Sequence, residues 1–154
     1  MGGIVVEPIG HVLGGRDAVE DDAWGSVESR IRLDHPRVTA DTVRGLADFS
    51  HVEVVFVFDR VDPERVEWGA RHPRGNPEWP SVGILAQRAK DRPNRIGVSR
   101  CELLAVEGTD LVVRGLDAVD GTPVLDVKPW LGGFAPRGAV REAPWAGELM
   151  RNYW

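Results

Sequence analysis

Apolar and charged residues alternate along several stretches of the chain with the period of two that is typical of half-buried β-strands. From Val27 to Leu33, apolar residues fall on one side of this pattern and charged residues on the other. Residues 52–58 are mostly β-branched or aromatic, which predicts a buried central strand. Further strands are predicted at residues 4–12, 82–87, 96–106, 111–116 and 124–127, of which 96–106 and 111–116 form a hairpin.

Helical periodicity is confined to two short stretches. Thr39 can cap a helix that continues with apolar residues at helical spacing and ends near Asp48. Residues 141–151 can form a second helix, with Pro144 in its first turn. Because the predicted strands mostly follow one another through turns, we expect a mainly β fold, an antiparallel barrel or sandwich with one or two short helices.

Length and composition exclude several classes of protein. A chain of 154 residues predicts a single domain, residues 1–154, and a net charge of −5 argues against a protein that coats nucleic acid. Cys101 is the only cysteine and the four histidines lack metal-ligand spacing, so we expect no disulfide and no metal. No signal-peptide pattern is present and the longest apolar run, 54–58, is too short to span a bilayer. We therefore expect a cytoplasmic location without membrane contact.

The first candidate functional segment, residues 88–99, is basic and joins two apolar strands. Arg88 and Arg92 can clamp a carboxylate or a phosphate, since a guanidinium donates two parallel hydrogen bonds. Pro93 restricts the backbone, and Gly97 allows another group to approach closely. The alternative interpretation is a solvated strand connection without a ligand.

The second candidate segment, residues 115–130, carries three aspartates around a tight turn. Turn aspartates often accept hydrogen bonds from their own backbone, which explains Asp120. Asp117 and Asp126 each interrupt an otherwise apolar strand, and turn formation explains them less well.

Together these segments closely resemble the signature stretches of the TrmO family, also called the YaeB or TsaA-like family. One signature is Arg-Pro-Asn followed by Ile-Gly within residues 92–97, and the other extends over residues 116–129. Three further blocks match in the same order, at residues 43–46, 49–51 and 56–58. The resemblance extends from about residue 9 to residue 130.

The resemblance implies a single TsaA-like β-barrel domain that binds S-adenosyl-L-methionine. Members of the family are methyltransferases that form homodimers, with the cofactor near the subunit interface. Known members methylate N6 of threonylcarbamoyladenosine next to the tRNA anticodon. By the same resemblance, this chain is expected to be a homodimeric methyltransferase with a tRNA substrate.

The resemblance and the chemistry of the side chains together give the expected site residues. Expected cofactor contacts are Asp59, Arg60, Arg88, Arg92, Val98, Arg114, Gly115, Leu116 and Asp117. The methionine carboxylate of the cofactor needs a cation, which Arg88 or Arg92 can supply. Asp120 and Asp126 are the candidates for the general base that takes a proton from the acceptor nitrogen. Expected substrate contacts are His51, Arg95, Trp68 and Trp79, and the two tryptophans can stack on a base.

Two other functions are compatible with the same residues. A methyltransferase with a small-molecule acceptor would keep the cofactor site, and the acidic stretch 17–28 together with Arg95 favours it modestly. A non-catalytic module that binds the cofactor or a protein is the third hypothesis. The Asp and Arg residues at the expected cofactor positions argue against that third hypothesis.

Overall fold

Six antiparallel strands close into a barrel in the computed structural model, which describes residues 2–154. The strands in chain order are β1 (Gly10–Leu13), β2 (Glu28–Arg32), β3 (His51–Val57), β4 (Ala70–Arg71), β5 (Val82–Gly83), β6 (Ile96–Glu107), β7 (Asp110–Arg114) and β8 (Pro123–Pro129). Around the barrel the order is β1-β2-β7-β6-β3-β8, and β8 pairs back with β1. β4 and β5 form a separate two-stranded sheet. The predicted mainly β fold with an antiparallel barrel core is confirmed.

The barrel interior is filled by the apolar residues of the alternating patterns. In β3, Val52, Val54 and Phe56 are buried, and the residues between them are half-buried. Gly97 in β6 faces the Phe56 ring, and a Cβ at that position would lie 2.6 Å from two ring carbons. The group that approaches Gly97 closely, as predicted, is therefore the aromatic ring of a core residue.

The two predicted helices have different outcomes. An α-helix, α1 (Pro144–Met150), forms within the predicted stretch 141–151 and begins at the expected proline. The helix predicted from Thr39 to Asp48 is wrong, because the chain forms two separate 3₁₀ turns, Ala40–Val43 and Leu46–Asp48. Gly45 lies between them with a φ of 85°, a left-handed conformation that ends the first turn.

Two predicted strands are shorter than the pattern indicated. Of residues 4–12, only the part from Gly10 onward pairs in the barrel, and Ile4 is 93% exposed. Of residues 82–87, only Val82 and Gly83 form a strand, after which a 3₁₀ turn follows. The side-chain amide of Gln87 donates to the carbonyls of Arg71 and Val82, so the chain bends back on itself there.

Within residues 2–154, no helix has the length and apolar character needed to cross a bilayer. The same residues contain no group of three His, Cys, Asp or Glu side chains arranged to hold a metal ion.

Candidate functional site

The loops at one end of the barrel are joined by long-range hydrogen bonds around the turn that precedes β8. The Arg60 guanidinium donates to the carbonyl of Asp17 and, at 3.1 Å, to the carbonyl of Asp120. The Asp120 carboxylate accepts from the Gly14 amide at 2.8 Å. Asp120 and Arg60 therefore hold the loop after β1 against the turn before β8.

The basic connection and the aspartate-bearing segment meet at Tyr153, close to the end of the chain. Arg88 donates from Nη2 to the carbonyl of Val98 at 2.9 Å, which holds it against β6. The Tyr153 hydroxyl donates to Oδ2 of Asp117. Burial and the negative charge of Asp117 raise the pKa of Tyr153, while the positive charges of Arg88 and Arg74 act against that rise. The two sequence segments thus both act on one hydroxyl, Asp117 through a hydrogen bond and Arg88 through its charge.

The Asp117 carboxylate has only one of its two oxygens in a hydrogen bond. Its Oδ1 atom is buried, and no hydrogen-bond donor of residues 2–154 reaches it. The Asp117 charge also acts on Cys101 of β6, whose pKa is raised to about 12, mainly by burial. A carboxylate with an unpartnered, buried oxygen is costly to maintain unless a ligand or solvent completes its hydrogen bonds.

The tail that carries Tyr153 is paired with the acidic loop. The amides of Ala23 and Trp24 donate to the carbonyls of Asn152 and Tyr153, both at 2.8 Å. The backbone of Trp154 packs against Gly25, where a Cβ would lie 2.8 Å from the Trp154 carbonyl carbon. The sequence pattern missed Tyr153, because no periodicity or motif indicates which distant loop a tail will pair with.

The long loop between β3 and β6 is tied to the same assembly. Arg74 forms an ion pair with Asp22 at 3.0 Å. Trp79 donates from its indole nitrogen to Glu148 of α1 at 2.8 Å. By contrast, Trp68 is 78% exposed. Both tryptophans were predicted to stack on a base. In the structure Trp79 contacts α1, and Trp68 faces solvent.

Arg114 and His51 lie in one row across the outer wall of the barrel. Arg114 pairs in register with Glu28 of β2 and with Glu102 of β6, and Glu102 pairs with His51 of β3. The guanidinium forms ion pairs with both carboxylates, at 2.9 and 3.0 Å. The hydrogen bond to Glu28 is the main cause of the raised pKa of Arg114. Arg114, which was predicted to contact the cofactor, thus forms ion pairs with two glutamates.

A second row on the outer wall joins Val98, Val55 and Asp126, which are paired in register across β6, β3 and β8. Adjacent strands are about 4.8 Å apart, so Asp126 lies roughly 10 Å from Val98. The Asp126 carboxylate contacts the Lys128 ammonium at 2.7 Å. The structure therefore does not bring the two predicted bases together, since Asp126 is on the wall and Asp120 is in the turn at the barrel end.

Beside this second row, the wall carries a shallow pocket of about 340 Å³. The Arg100 guanidinium lies 4.2 Å above the centre of the Trp130 ring and pairs with Glu53 at 3.2 Å. The pocket is lined by Glu53, Arg100, Lys128, Pro129, Trp130, Leu131 and Phe134. Aromatic and cationic groups therefore lie together next to Asp126.

Two predicted arginines face backbone carbonyls. Arg92 donates to the Gln87 carbonyl at 2.6 Å, and Arg95 donates to the Val61 carbonyl at 2.8 Å. Arg95 has a φ of 51° and follows Asn94 at 64°, so the turn contains two consecutive left-handed residues. These contacts lie within the connection between β3 and β6 and hold it together, and an anion-binding role for Arg92 stays a prediction.

Three remaining predicted contacts lie at strand ends. Asp59 is exposed just beyond β3. Gly115 has a φ of 83° and donates its amide to the Val27 carbonyl at 2.9 Å. The side chain of Leu116 is fully buried in the core. Gly115 and Leu116 therefore position Asp117, which follows them directly.

Comparison with known proteins places this barrel in a family. The sequence model of the family described as "tRNA-methyltransferase O N-terminal domain" matches residues 20–135, which include both signature segments. The chain belongs to this family. The resemblance found in the sequence is thereby confirmed.

Individual relatives agree with that assignment. The chain is 40% identical over 112 residues to the Escherichia coli tRNA (adenine(37)-N6)-methyltransferase, covering 69% of this chain and 46% of the relative. It is 38% identical to a Methanothermobacter thermautotrophicus protein named "Probable S-adenosyl-L-methionine-binding protein", covering 74% and 77%. The crystal structure of TrmO from Pseudomonas aeruginosa superimposes with a TM-score of 0.72 at 27% identity, covering 90% of this chain and 61% of that one. The chain thus spans less than half of the E. coli relative and under two thirds of the crystallised one.

Proposed function

We propose that this chain is an S-adenosyl-L-methionine-dependent methyltransferase that methylates N6 of threonylcarbamoyladenosine next to the tRNA anticodon. The observation that carries the proposal is the family match over residues 20–135, which spans both signature segments. The E. coli relative bears the name of a tRNA (adenine(37)-N6)-methyltransferase. A single-domain organisation over residues 1–154 and a cytoplasmic location stay predictions from the sequence.

The residues around Tyr153 fit the proposed cofactor. S-adenosyl-L-methionine carries a carboxylate, an ammonium and a sulfonium, so its site needs both signs of charge. Arg88 provides a cation held at β6, and Asp117 provides an anion with one unpartnered oxygen. When bound, the cofactor supplies an electrophilic methyl group whose leaving group is a neutral thioether. The chain then has to bind and orient both reactants and to accept one proton.

Asp126 is the better placed of the two predicted bases. It shares a wall row with Val98 and adjoins the pocket of aromatic and cationic side chains, whereas Asp120 is hydrogen-bonded to the Gly14 amide. An acceptor adenine in that pocket can stack on Phe134, which is 77% exposed, and Asp126 can accept the N6 proton.

A basic segment supports an RNA acceptor in spite of the net charge of −5. Between residues 128 and 141 the chain carries Lys128, Arg137 and Arg141 and no acidic residue. All residues from 131 to 141 are exposed. A local cluster of cations can neutralise RNA phosphates, even when the protein as a whole is acidic.

The outer face of β6 supports the proposed homodimer. Ile96, Val98 and Leu104 are apolar and are 41%, 38% and 37% exposed along one strand. Burial of such a stripe against a second copy would also place a subunit boundary at Val98, the expected cofactor contact. Sedimentation equilibrium of wild type and Leu104→Lys tests the proposed homodimer. A wild-type protein that is monomeric at all concentrations would contradict it.

The cofactor part of the proposal is tested by calorimetry with S-adenosyl-L-methionine. Replacing Arg88 with Ala removes the proposed partner of the methionine carboxylate and should weaken binding at least about tenfold. Arg65→Ala is the matched control, because Arg65 is an exposed arginine of the neighbouring loop. Absence of binding by the wild-type protein would refute the enzyme function.

The acceptor part is tested by incubating protein and cofactor with tRNA that contains threonylcarbamoyladenosine. Mass spectrometry of the nucleosides should find one added methyl group. Asp126→Asn should lower kcat by about 10²-fold or more without weakening cofactor binding. Tight cofactor binding without a methylated nucleoside would reject tRNA as the acceptor and favour a small molecule.

A further inference from the structure

The tail of the chain contributes a side chain to the candidate cofactor site. Tyr153 is the only tyrosine of the sequence, and its hydroxyl donates to Oδ2 of Asp117. Two backbone hydrogen bonds from Ala23 and Trp24 hold the tail in place, each 2.8 Å long. The Tyr153 hydroxyl is therefore fixed by its own segment rather than by Asp117 alone.

The charged and titratable groups around Asp117 come from four separate parts of the chain. Tyr153 lies on the tail and Cys101 on β6, and the charges of Arg88 and Arg74 act on the Tyr153 hydroxyl. Cys101 is buried and protonated at neutral pH, and Oδ1 of Asp117 has no donor among residues 2–154. Tyr153 thus supplies the side-chain hydrogen bond that holds this carboxylate.

A carboxylate that is shielded from water needs donors in order to stay charged and to keep one orientation. Without the Tyr153 hydroxyl, both oxygens of Asp117 would lack a side-chain donor beside the barrel wall. The side chain would then turn toward solvent or lose its fixed direction. The positive groups of a ligand would no longer meet an anion of defined direction.

We propose that Tyr153 is a positioning residue of the cofactor site, because its hydroxyl fixes the direction of the Asp117 carboxylate, the anion that faces the positive groups of the ligand. This inference rests on the proposed function, since it takes S-adenosyl-L-methionine as that ligand. It also gives the acidic loop a role, because residues 23 and 24 of that loop carry the tail. The tail and the loop are then parts of the binding site.

The inference is tested by calorimetry with S-adenosyl-L-methionine on wild type, Tyr153→Phe and Asp117→Asn. Tyr153→Phe keeps the ring and removes the hydroxyl, so we expect about tenfold weaker binding. Glu64→Gln is the control, because Glu64 is an exposed residue of the 3₁₀ turn Pro63–Arg65 and lies outside the contacts that hold the tail. We expect that control to bind within about twofold of wild type.

Two further measurements separate positioning from a merely structural role of the tail. In steady-state kinetics, Tyr153→Phe should raise the KM for the cofactor and leave kcat nearly unchanged, since the lost contact acts on binding. Carbon-13 labelling of the tyrosine Cζ gives a single NMR resonance, because the chain has one tyrosine. That resonance should move in Asp117→Asn without ligand, and in wild type when the cofactor is added.

The outcomes are distinguishable. If Asp117→Asn weakens binding and Tyr153→Phe does not, the inference is wrong and the proposed function stands. If Tyr153→Phe binds the cofactor more tightly, the tail covers the site instead of completing it, which also overturns the inference. If wild type does not bind, the proposed function itself fails. If wild type binds and Asp117→Asn binds equally well, the assignment of the cofactor site to Asp117 fails, and the inference fails with it. If Tyr153→Phe does not fold, the inference is tested by adding the cofactor to wild type and following the tyrosine Cζ resonance. A resonance that does not move contradicts the inference.

Discussion

The barrel wall and the loop assembly at its end are stabilised in different ways. In the wall, β3 pairs with β6 over seven residue pairs, and its inward side chains are almost completely buried. At the end, the tail is held by a few polar contacts, and Tyr153 is only half-buried. Apolar burial distributes stability over many residues, whereas a polar assembly depends on individual hydrogen bonds. Wall substitutions should therefore reduce the free energy of unfolding, and end substitutions should mainly reduce ligand binding.

The largest effect is expected from Phe56→Ala in the centre of β3. Phe56 is 1% exposed and contacts Phe58 edge to face, with ring centroids 5.2 Å apart. Loss of the ring leaves a cavity and should lower the free energy of unfolding by about 3–5 kcal/mol, measured by urea denaturation. Leu85→Ala, at a side chain that is 78% exposed, should cost less than about 1 kcal/mol. Equal losses for both variants would contradict the contrast between interior and surface.

The next effect is a loss of stability at high pH, caused by Cys101. Its pKa is raised from 9.0 to about 12 in the folded state, mainly by burial. Below pH 9 the thiol is protonated in both states and contributes no pH dependence. Above pH 9 only the unfolded state releases the proton, so the free energy of unfolding should fall by up to about 1.4 kcal/mol per pH unit until about pH 12.

Denaturation of wild type and Cys101→Ser between pH 8 and pH 11 measures this dependence. The serine variant should lose most of the slope that begins near pH 9. The slope that remains at higher pH should come from Tyr153, whose pKa is also raised by burial and by Asp117. An unchanged slope in the variant would mean that Cys101 is not the titrating group.

A smaller effect is expected from Gly97→Ala. The new Cβ would lie 2.6 Å from the Phe56 ring and 2.8 Å from the Phe58 ring, so two aromatic side chains would have to shift. We expect a loss of about 1–3 kcal/mol in urea denaturation. Gly132→Ala is the matched control, because a Cβ there meets nothing within 4 Å. If both variants unfold at the same denaturant concentration, the interior contact at Gly97 is not tight.

The smallest global effect is expected from Trp79→Phe at the barrel end. This change removes the hydrogen bond to Glu148 and should alter the free energy of unfolding by about 1 kcal/mol or less. Hydrogen exchange should be more sensitive than denaturation. The amides of Ala23 and Trp24, which donate to the tail, should exchange faster, while β3 amides keep their wild-type rates. Uniform acceleration across both regions would show that the tail is not a separate unit.

Much of the wall could be predicted from the sequence. The buried run at residues 52–58 and the hairpin at 96–116 formed where the pattern placed them, since strand periodicity is a local property. The Thr39 helix failed because Gly45 adopts a left-handed conformation that helical spacing of apolar residues does not report. Predictions were thus best where neighbouring residues alone decided the structure.

The site was predictable only in part. The signature segments indicated Arg88 and Asp117, and in the structure Asp117 accepts a hydrogen bond from the Tyr153 hydroxyl while the charge of Arg88 acts on the same group. The sequence could not indicate that Arg92 and Arg95 would donate to backbone carbonyls, since the acceptors are set by loop geometry.

The sequence by itself determined the strand pattern, the family and the identity of the charged residues, because each depends on residues close together along the chain. Only the tertiary structure decided which carboxylate meets which donor. Tyr153 and Asp117 are 36 positions apart, and Asp120 and Gly14 are 106 positions apart. Such contacts form only when the barrel closes and brings distant loops to one end, and barrel closure depends on the whole set of strand pairings.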